Sequence, residues 1–380
     1  MKLSDRITNL ESGGDDGWSV HYRAHDMARA GIDVISLCVG DHDTRVATAV
    51  VDEMVQSARA GNTGYSPVQG SENLRDKLAE GYGVKRENIA VCSGGQAGLF
   101  AALCAVIDPT DRVVAIDPHY VTYPSTVRGA GGVFTTAIAR SEDEFQPKRA
   151  ELEAATKGAR ALMLNSPNNP TGAVYSRETM EMIADVCIQN DLWLISDEVY
   201  ATQVHDGEHI CPRDLPNMAE RTIVVGSFSK SHLMTGFRIG WVVAPETVIA
   251  ALLSLANATT YGTPQFIQDA ALKGLQLGGS DEVSELYKER RDLAVKAFEN
   301  APISLVSPQG AMYVIVDIRA TGLSGNEFAN QLLDSQGIAV MPGESFGKGA
   351  AGHIRIALTV NNEKLSKALA RITSFAKGLM

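Results

Sequence analysis

Short apolar runs bounded by Gly, Pro, Asn, Asp or Ser recur along the chain, and between them lie longer stretches whose apolar positions repeat at helical spacing. The runs predict strands at 33–39, 89–92, 113–116, 161–164, 192–195, 223–225 and 242–243. The longer stretches predict helices over 21–30, 46–60, 97–107 and 177–190, with an amphipathic helix starting at Ser71 that carries Leu74 and Leu78 on one face. Past Trp241 the pattern is helical through Gln276, including 257–268, and a charged helix follows over 281–299. Pro302 marks a change of domain, after which short strands at 312–318, 337–341 and 352–358 accompany a helix over 326–336. The order of strands and helices between about 46 and 294 implies an α/β fold with a largely parallel sheet covered by helices on both faces.

Composition narrows the function classes. A chain of 380 residues with 44% apolar and 21% charged positions is an ordinary globular sequence with length for about two to three domains. Its 34 basic and 45 acidic residues give a net charge of -11, which argues against nucleic acid or an anionic membrane as partner and favours a small molecule. The 5 cysteines are scattered without a Cys-x-x-Cys pair or a histidine at metal spacing, so neither a disulfide framework nor a metal site is expected and a reducing cytoplasm fits. The longest apolar stretch, 97–107, is too short to cross a bilayer, and residues 1–16 lack the pattern of a signal peptide. No Gly-x-Gly-x-x-Gly follows a strand, which removes a nicotinamide-dependent reading.

Candidate chemistry sits where strands end. The run 223–225 leads into Ser227 and Lys230, and Arg238 follows the lysine by eight residues within Gly-Phe-Arg-Ile-Gly. Such a lysine is either a solvated loop charge or a partly desolvated amine, which makes it nucleophilic. A hydroxyl and a guanidinium flanking one amine are suited to holding a phosphate beside an imine. Asp197 lies just past another apolar strand, where open α/β sheets place ligand groups, and a carboxylate so near the core needs a partner such as an arginine or a helix end. Gly94, Gly95 and Gln96 separate a strand from a helix and expose backbone N–H groups to an anion, a turn many open sheets share. Asn168 and Asn169 before Pro-Thr-Gly fit turn chemistry, and Gly40 fits a plain strand-ending turn. Tyr65 reads as a loop tyrosine packing on its own domain, and Tyr120 as a half-buried aromatic under a loop. Arg355 alternates with apolar neighbours on a strand, which fits protection of a sheet edge.

Taken together, Asn169, Asp197, Tyr200, Lys230, Arg238 and Arg355 resemble the signature of the class I and II aminotransferases, the aspartate aminotransferase superfamily. The resemblance runs from Gly40 to Arg355. It implies the pyridoxal-phosphate-dependent transferase fold type I, with a large domain over 46–294 and a small α/β domain built from 1–45 and 295–380. It implies pyridoxal phosphate as cofactor, held by Lys230 as an imine, with Lys230 also moving the substrate proton as base and acid. Asp197 would keep the ring nitrogen protonated, Tyr200 and Asn169 would reach the phenolic oxygen, and Tyr120 would stack on the ring. Ser227, Arg238 and the amides of Gly95 and Gln96 would anchor the phosphate, while Gly40, Asn169 and Arg355 would meet the substrate, Arg355 gripping its α-carboxylate. Tyr65 would cross to the cofactor phosphate of a second subunit, which makes a homodimer the expected unit. The family commonly has proline where this chain has His42, and often serine where it has Gly95.

The implied reaction moves the α-amino group of an amino acid to a 2-oxo acid. Stretches 193–200, 229–243, 261–271 and 312–324 are similar to arginine:pyruvate transaminases, which suggests a basic donor and pyruvate as acceptor. Glu11, Asp15, Asp16, Asp41 and Asp43 are the candidate carboxylates for the far end of such a donor. An aspartate or broad-specificity aminotransferase, a carbon–sulfur β-lyase and a non-catalytic cofactor-binding protein share the same residues.

Overall fold

A computed structural model describes residues 1–10, 18–306 and 308–380. Among them the chain forms strands β1 (Ile35–Ser36), β2 (Ile89–Cys92), β3 (Arg112–Asp117), β4 (Val133–Ile138), β5 (Ala161–Asn165), β6 (Trp193–Asp197) and β7 (Thr222–Ser227). It continues with β8 (Gly240–Val243), β9 (Ser304–Leu305), β10 (Tyr313–Asp317), β11 (Ile338–Ala339), β12 (Met341–Pro342) and β13 (His353–Ala357).

A sheet of order β2-β8-β7-β6-β5-β3-β4 holds the middle of the chain. The pairs from β7 through β6, β5 and β3 to β4 are parallel, and β8 alone runs against its neighbours β2 and β7. Strands β5 and β7 are buried along their whole length, which is why they read as unbroken apolar runs: helices cover both faces. Successive side chains of β3 divide between those faces. Val113 and Ala115 pack with Leu99 and Leu103 of the helix Gly95–Val106 and with Val248 and Leu252 of Glu246–Ala258. Val114 and Ile116 turn the other way, onto Met180, Ile183 and Val186 of Arg177–Gln189. Each such fully buried aliphatic side chain contributes about 1.5–3 kcal/mol.

A second core gathers residues from both ends of the chain. Antiparallel strands β10 and β13 lie inside a sheet of order β12-β13-β10-β9, and β1 pairs in parallel with β11. Val20 and Ala24 from the helix Trp18–Arg29, Tyr287 and Phe298 from Ser280–Phe298, and Leu365 and Ile372 from Asn362–Gly378 share this core. Asp117, at the end of β3, ties the two parts together by accepting the backbone N–H groups of Lys348 at 3.0 Å and Gly349 at 2.9 Å.

Several elements depart from the sequence pattern. The continuous helix expected across 257–268 is two helices, Glu246–Ala258 and Gln265–Leu277. Tyr261 and Gly262 adopt left-handed backbone (φ 58° and 94°) and Pro264 starts the second helix, so helical hydrogen bonding breaks between them. The run 337–341 is split by Val340 into β11 and β12, which belong to different sheets. The strand expected over 33–39 pairs only at Ile35–Ser36. Strand β4 and the helix Asn362–Gly378 are additional elements.

Candidate active site

The parallel strands β2, β3, β5, β6 and β7 deliver their carboxyl ends to one edge of the sheet. Because β8 runs the opposite way, its amino end, with Arg238 just before it, arrives at that same edge. This topology brings Gly95, Gln96, Tyr120, Asn169, Asp197, Tyr200, Ser227, Lys230 and Arg238 to the wall of one cavity of about 420 Å³, with Gly40 and Asp41 opposite. A smaller chamber of about 100 Å³ adjoins it, sharing Gly40, Tyr120, Asn169, Tyr200 and Lys230 and adding Arg355 and Tyr313. Tyr65 is outside both: it is 90% exposed and packs against Tyr261, with ring centroids 5.3 Å apart.

Lys230 is presented by a four-residue helix, Phe228–Ser231, where the sequence pattern suggested a plain turn. The Ser227 hydroxyl caps it by accepting the N–H of Ser229 at 3.1 Å. Gln203 Nε2 donates to the Lys230 carbonyl at 3.1 Å, and Lys230 Nζ donates to the carbonyl of Gly40. Glycine is required at position 40, because a Cβ there would lie 1.8 Å from the hydroxyl of Tyr313, which in turn bonds Tyr200 Oη at 3.1 Å.

Asp197 is 4% exposed and receives two neutral donors, Tyr123 O–H at 2.6 Å and Val199 N–H at 3.3 Å. The arginine or helix end that would ordinarily neutralise it is not among its partners in the described residues, and burial pushes its pKa up to about 6. Asn165 Nδ2 donates to the Asp197 backbone carbonyl at 2.8 Å and fixes the strand end. This buried carboxylate therefore fits a cationic or proton-bearing ring nitrogen in the cavity.

At the end of β2, Gly94 caps the helix Gly95–Val106 without a side-chain hydrogen bond, which leaves the first amides uncapped where Gly95 and Gln96 line the cavity. A Cβ on Gly94 would meet Arg238 Nη2 at 2.6 Å, which places the guanidinium directly against this turn. Arg238 itself is left-handed (φ 52°) and donates to Thr235 O at 2.8 Å. The Gln96 side chain is occupied, donating to Thr126 at 2.7 Å and accepting from Thr122 at 3.0 Å, so Gln96 offers the cavity its backbone amide. Amides, the Ser227 hydroxyl and a guanidinium converging at a helix start make a cradle for a phosphate.

Arg355 occupies an interior strand, which removes the edge-protection alternative. It is 4% exposed and lies between the rings of Tyr313 and Phe346, 4.4 Å and 4.7 Å from their centroids. Nη1 donates to Asn169 Oδ1 at 2.9 Å and Nη2 to the Cys38 carbonyl, while the buried Nε has no partner among the described residues. No carboxylate among those residues pairs with it. The two asparagines of the Pro-Thr-Gly turn divide their tasks: Asn168 Oδ1 accepts from Thr171 N and Oγ1, which is turn chemistry, and Asn169 faces the cavity.

Of the candidate acidic residues, Glu11, Asp15 and Asp16 lie outside the described residues. Asp43 is committed to Arg290, each carboxylate oxygen accepting at 2.9 Å, whereas Asp41 lines the cavity with Oδ1 bonded to Thr235 at 2.9 Å. Sequence reasoning did not single out Tyr123, Asn165, Tyr313, Phe346 or Thr235. Each acts through a residue distant in sequence, as Tyr123 does on Asp197, and no local spacing marks them.

Comparison with known proteins identifies the family. A family profile described as aminotransferase class I and II matches residues 32–372. The chain belongs to this family. Its members depend on pyridoxal phosphate, and the protein is a pyridoxal-phosphate-dependent transaminase of fold type I. It is 41% identical to an arginine–pyruvate transaminase from Pseudomonas aeruginosa, with 100% of this chain and 99% of the relative covered. It is 35% identical to an aspartate/prephenate aminotransferase from Thermus thermophilus over 93% of this chain and 94% of that one. The solved structure of the aspartate aminotransferase from Thermus thermophilus with maleate superimposes at a TM-score of 0.92, with 33% identity and 100% of both chains covered. Among the described residues of this aminotransferase, no helix is long and apolar enough to cross a membrane.

Proposed function

We propose that this transaminase carries out amino transfer with Lys230 as its cofactor lysine and proton carrier, and that it favours a basic amino acid as donor and pyruvate as acceptor. The carrying observation is a pair of buried, unmatched charges that share cavity walls with one amine. Asp197 lacks a cation and Arg355 lacks an anion among the described residues; Lys230 lines the main cavity with Asp197 and the adjoining chamber with Arg355. A ring nitrogen bearing a proton answers the first, and an α-carboxylate answers the second bidentately.

Pyridoxal phosphate, when bound, supplies an electron-withdrawing ring that spreads the negative charge left at the substrate Cα. The protein's own part is positional and acid–base. Asp197 would keep a ring nitrogen protonated, with Tyr123 and Val199 holding the carboxylate in place. Tyr120, Asn169 and Tyr200 border the space for the ring. Ser227, Arg238 and the amides of Gly95 and Gln96 would hold the phosphate. Arg355, with Gly40 and Asn169 beside it, orients the α-carboxylate so that Cα faces Lys230. Lys230 Nζ would take up the substrate Cα proton as base and give it back as acid. Tyr65, exposed on this chain, serves the phosphate of a second copy, so the working unit is a homodimer. The free cysteines among the described residues are compatible with a cytoplasmic setting.

The donor preference rests on the 41% identity to the arginine–pyruvate transaminase and on Asp41. Apart from Asp197, Asp41 is the carboxylate on the main cavity wall among the described residues. It is exposed and able to meet a guanidinium or ammonium at the far end of a long side chain. A panel of amino donors against pyruvate, 2-oxoglutarate and oxaloacetate tests the proposal: kcat/KM should favour arginine or lysine with pyruvate. Asp41→Asn should cost those donors about 1 to 3 kcal/mol while sparing alanine. Aspartate or an aromatic donor clearly outrunning arginine would remove the basic-donor assignment and leave the transaminase.

A further inference from the structure

The turn that carries Gly40 holds a histidine where the resemblance leads one to expect proline, and the imidazole is bonded on both sides. His42 Nε2 is 3.0 Å from the Ser229 carbonyl, which only accepts, so Nε2 bears the proton. Nδ1, 2.7 Å from Tyr287 Oη, accepts the tyrosine's O–H. The Ser229 carbonyl belongs to the peptide leading into Lys230, and the amine at the other end of that lysine donates to Gly40. One short turn thus grips Lys230 by backbone and by Nζ.

That turn is anchored in its own right. Tyr287 and Arg290 stand three residues apart on one face of the helix Ser280–Phe298, and they are 0% and 3% exposed. Tyr287 holds His42, while Arg290 donates to both oxygens of Asp43 at 2.9 Å and to the Leu358 carbonyl at 3.0 Å. The helix lends Tyr287 to the second core, so the chain from Tyr287 through His42 to Ser229 connects that core to the lysine. A proline at position 42 has no side-chain donor or acceptor and would open the chain at its middle.

We propose that His42 is a positioning residue for Lys230, holding the lysine's backbone and through it the place where Nζ meets the substrate Cα; this rests on the reading of Lys230 as the cofactor lysine. The imidazole works in one protonation state. Burial and the nearby Lys230 lower its pKa to about 4 against the opposing hydrogen bond to Ser229 and the pull of Asp41 and Asp43, with Tyr287 and Arg290 the other polar groups beside it. Well above that value it is neutral, which is the state the directional bonds above require.

The test uses the cofactor-loaded enzyme and the variants His42→Pro, His42→Asn and Tyr287→Phe. Misplacement of the amine in His42→Pro should lower kcat by about 10- to 100-fold with the donor's KM unchanged. The isotope effect from Cα-deuterated donor should rise, as proton transfer becomes rate-limiting. Independently of turnover, the pH titration of the bound cofactor's visible absorbance should move by about half a unit or more, because the surroundings of Nζ change. His42→Asn, which keeps a donor and an acceptor, should restore much of each signal. Should His42→Pro not fold, Tyr287→Phe, which removes one hydroxyl, is read by the same titration and isotope effect. A parent-like titration and isotope effect in the folded variants, with borohydride still labelling Lys230, would overturn the role of His42 alone. Absence of label on Lys230 in the parent enzyme would instead overturn the cofactor-lysine reading beneath it.

Discussion

Asp197→Asn separates the two demands placed on one carboxylate. Burial raises the pKa of Asp197 from the ordinary 3.8 to about 6, so between those values the folded, cofactor-free protein binds more protons at this group than the unfolded chain. Its contribution to stability is present below about pH 4 and lost as pH rises through about 6. The gap corresponds to about 3 kcal/mol against the folded, cofactor-free protein at neutral pH. An amide removes the charge, but it offers one acceptor where Tyr123 O–H and Val199 N–H each donate, at 2.6 Å and 3.3 Å, a loss of about 1 kcal/mol. The cofactor-free variant should therefore be more stable than its parent by about 2 kcal/mol near pH 7.5. That advantage should shrink as pH falls through 6 and reverse near pH 4. With pyridoxal phosphate bound the sign changes, because the carboxylate then has a protonated nitrogen to meet, and removal of the Cα proton should slow by several orders of magnitude. Thermal unfolding of both proteins across pH, with and without cofactor, measures each part. A pH-independent difference in the cofactor-free pair, or an equal gain in the loaded pair, would refute the reasoning.

Two other perturbations address the remaining parts of the site. Arg355→Lys keeps the charge but loses the planar fork, so kcat/KM should fall by about 10- to 150-fold for amino donor and 2-oxo acceptor alike, since both present the same carboxylate; steady-state kinetics with each substrate varied checks this, and an unchanged donor term would contradict it. Sedimentation of the active enzyme should find at least a dimer, and Tyr65→Phe should weaken phosphate retention only in the assembled form; a fully active monomer would contradict the role given to Tyr65.

Strands such as β5, β6 and β7 were legible because both faces are buried and the run is continuous, and their ends carried the motif residues with them. Strand β4 was not, since it sits at the sheet edge, with Val133 46% exposed and two threonines at its centre. The helix Asn362–Gly378 lies beyond the last element read from the pattern, although Leu365, Ala368, Leu369, Ile372 and Ala376 repeat at helical spacing. Among the residues that line the cavity, Lys230, Asp197 and Arg238 stood out as candidates from their place at strand ends and their spacing, whereas the groups that contact them did not. Tyr123 reaches Asp197 across 74 residues of chain, and His42 reaches Tyr287 across 245. Contacts of that kind are properties of the folded sheet edge and leave no local pattern.

The most direct test of the account is the bond at Lys230. Borohydride reduction of the loaded enzyme followed by peptide mass analysis should find the cofactor on Lys230, and Lys230→Ala should still retain pyridoxal phosphate through the phosphate cradle and Asp197 while showing no reducible bond and almost no transfer. A reducible bond to the protein that persists in Lys230→Ala would contradict it.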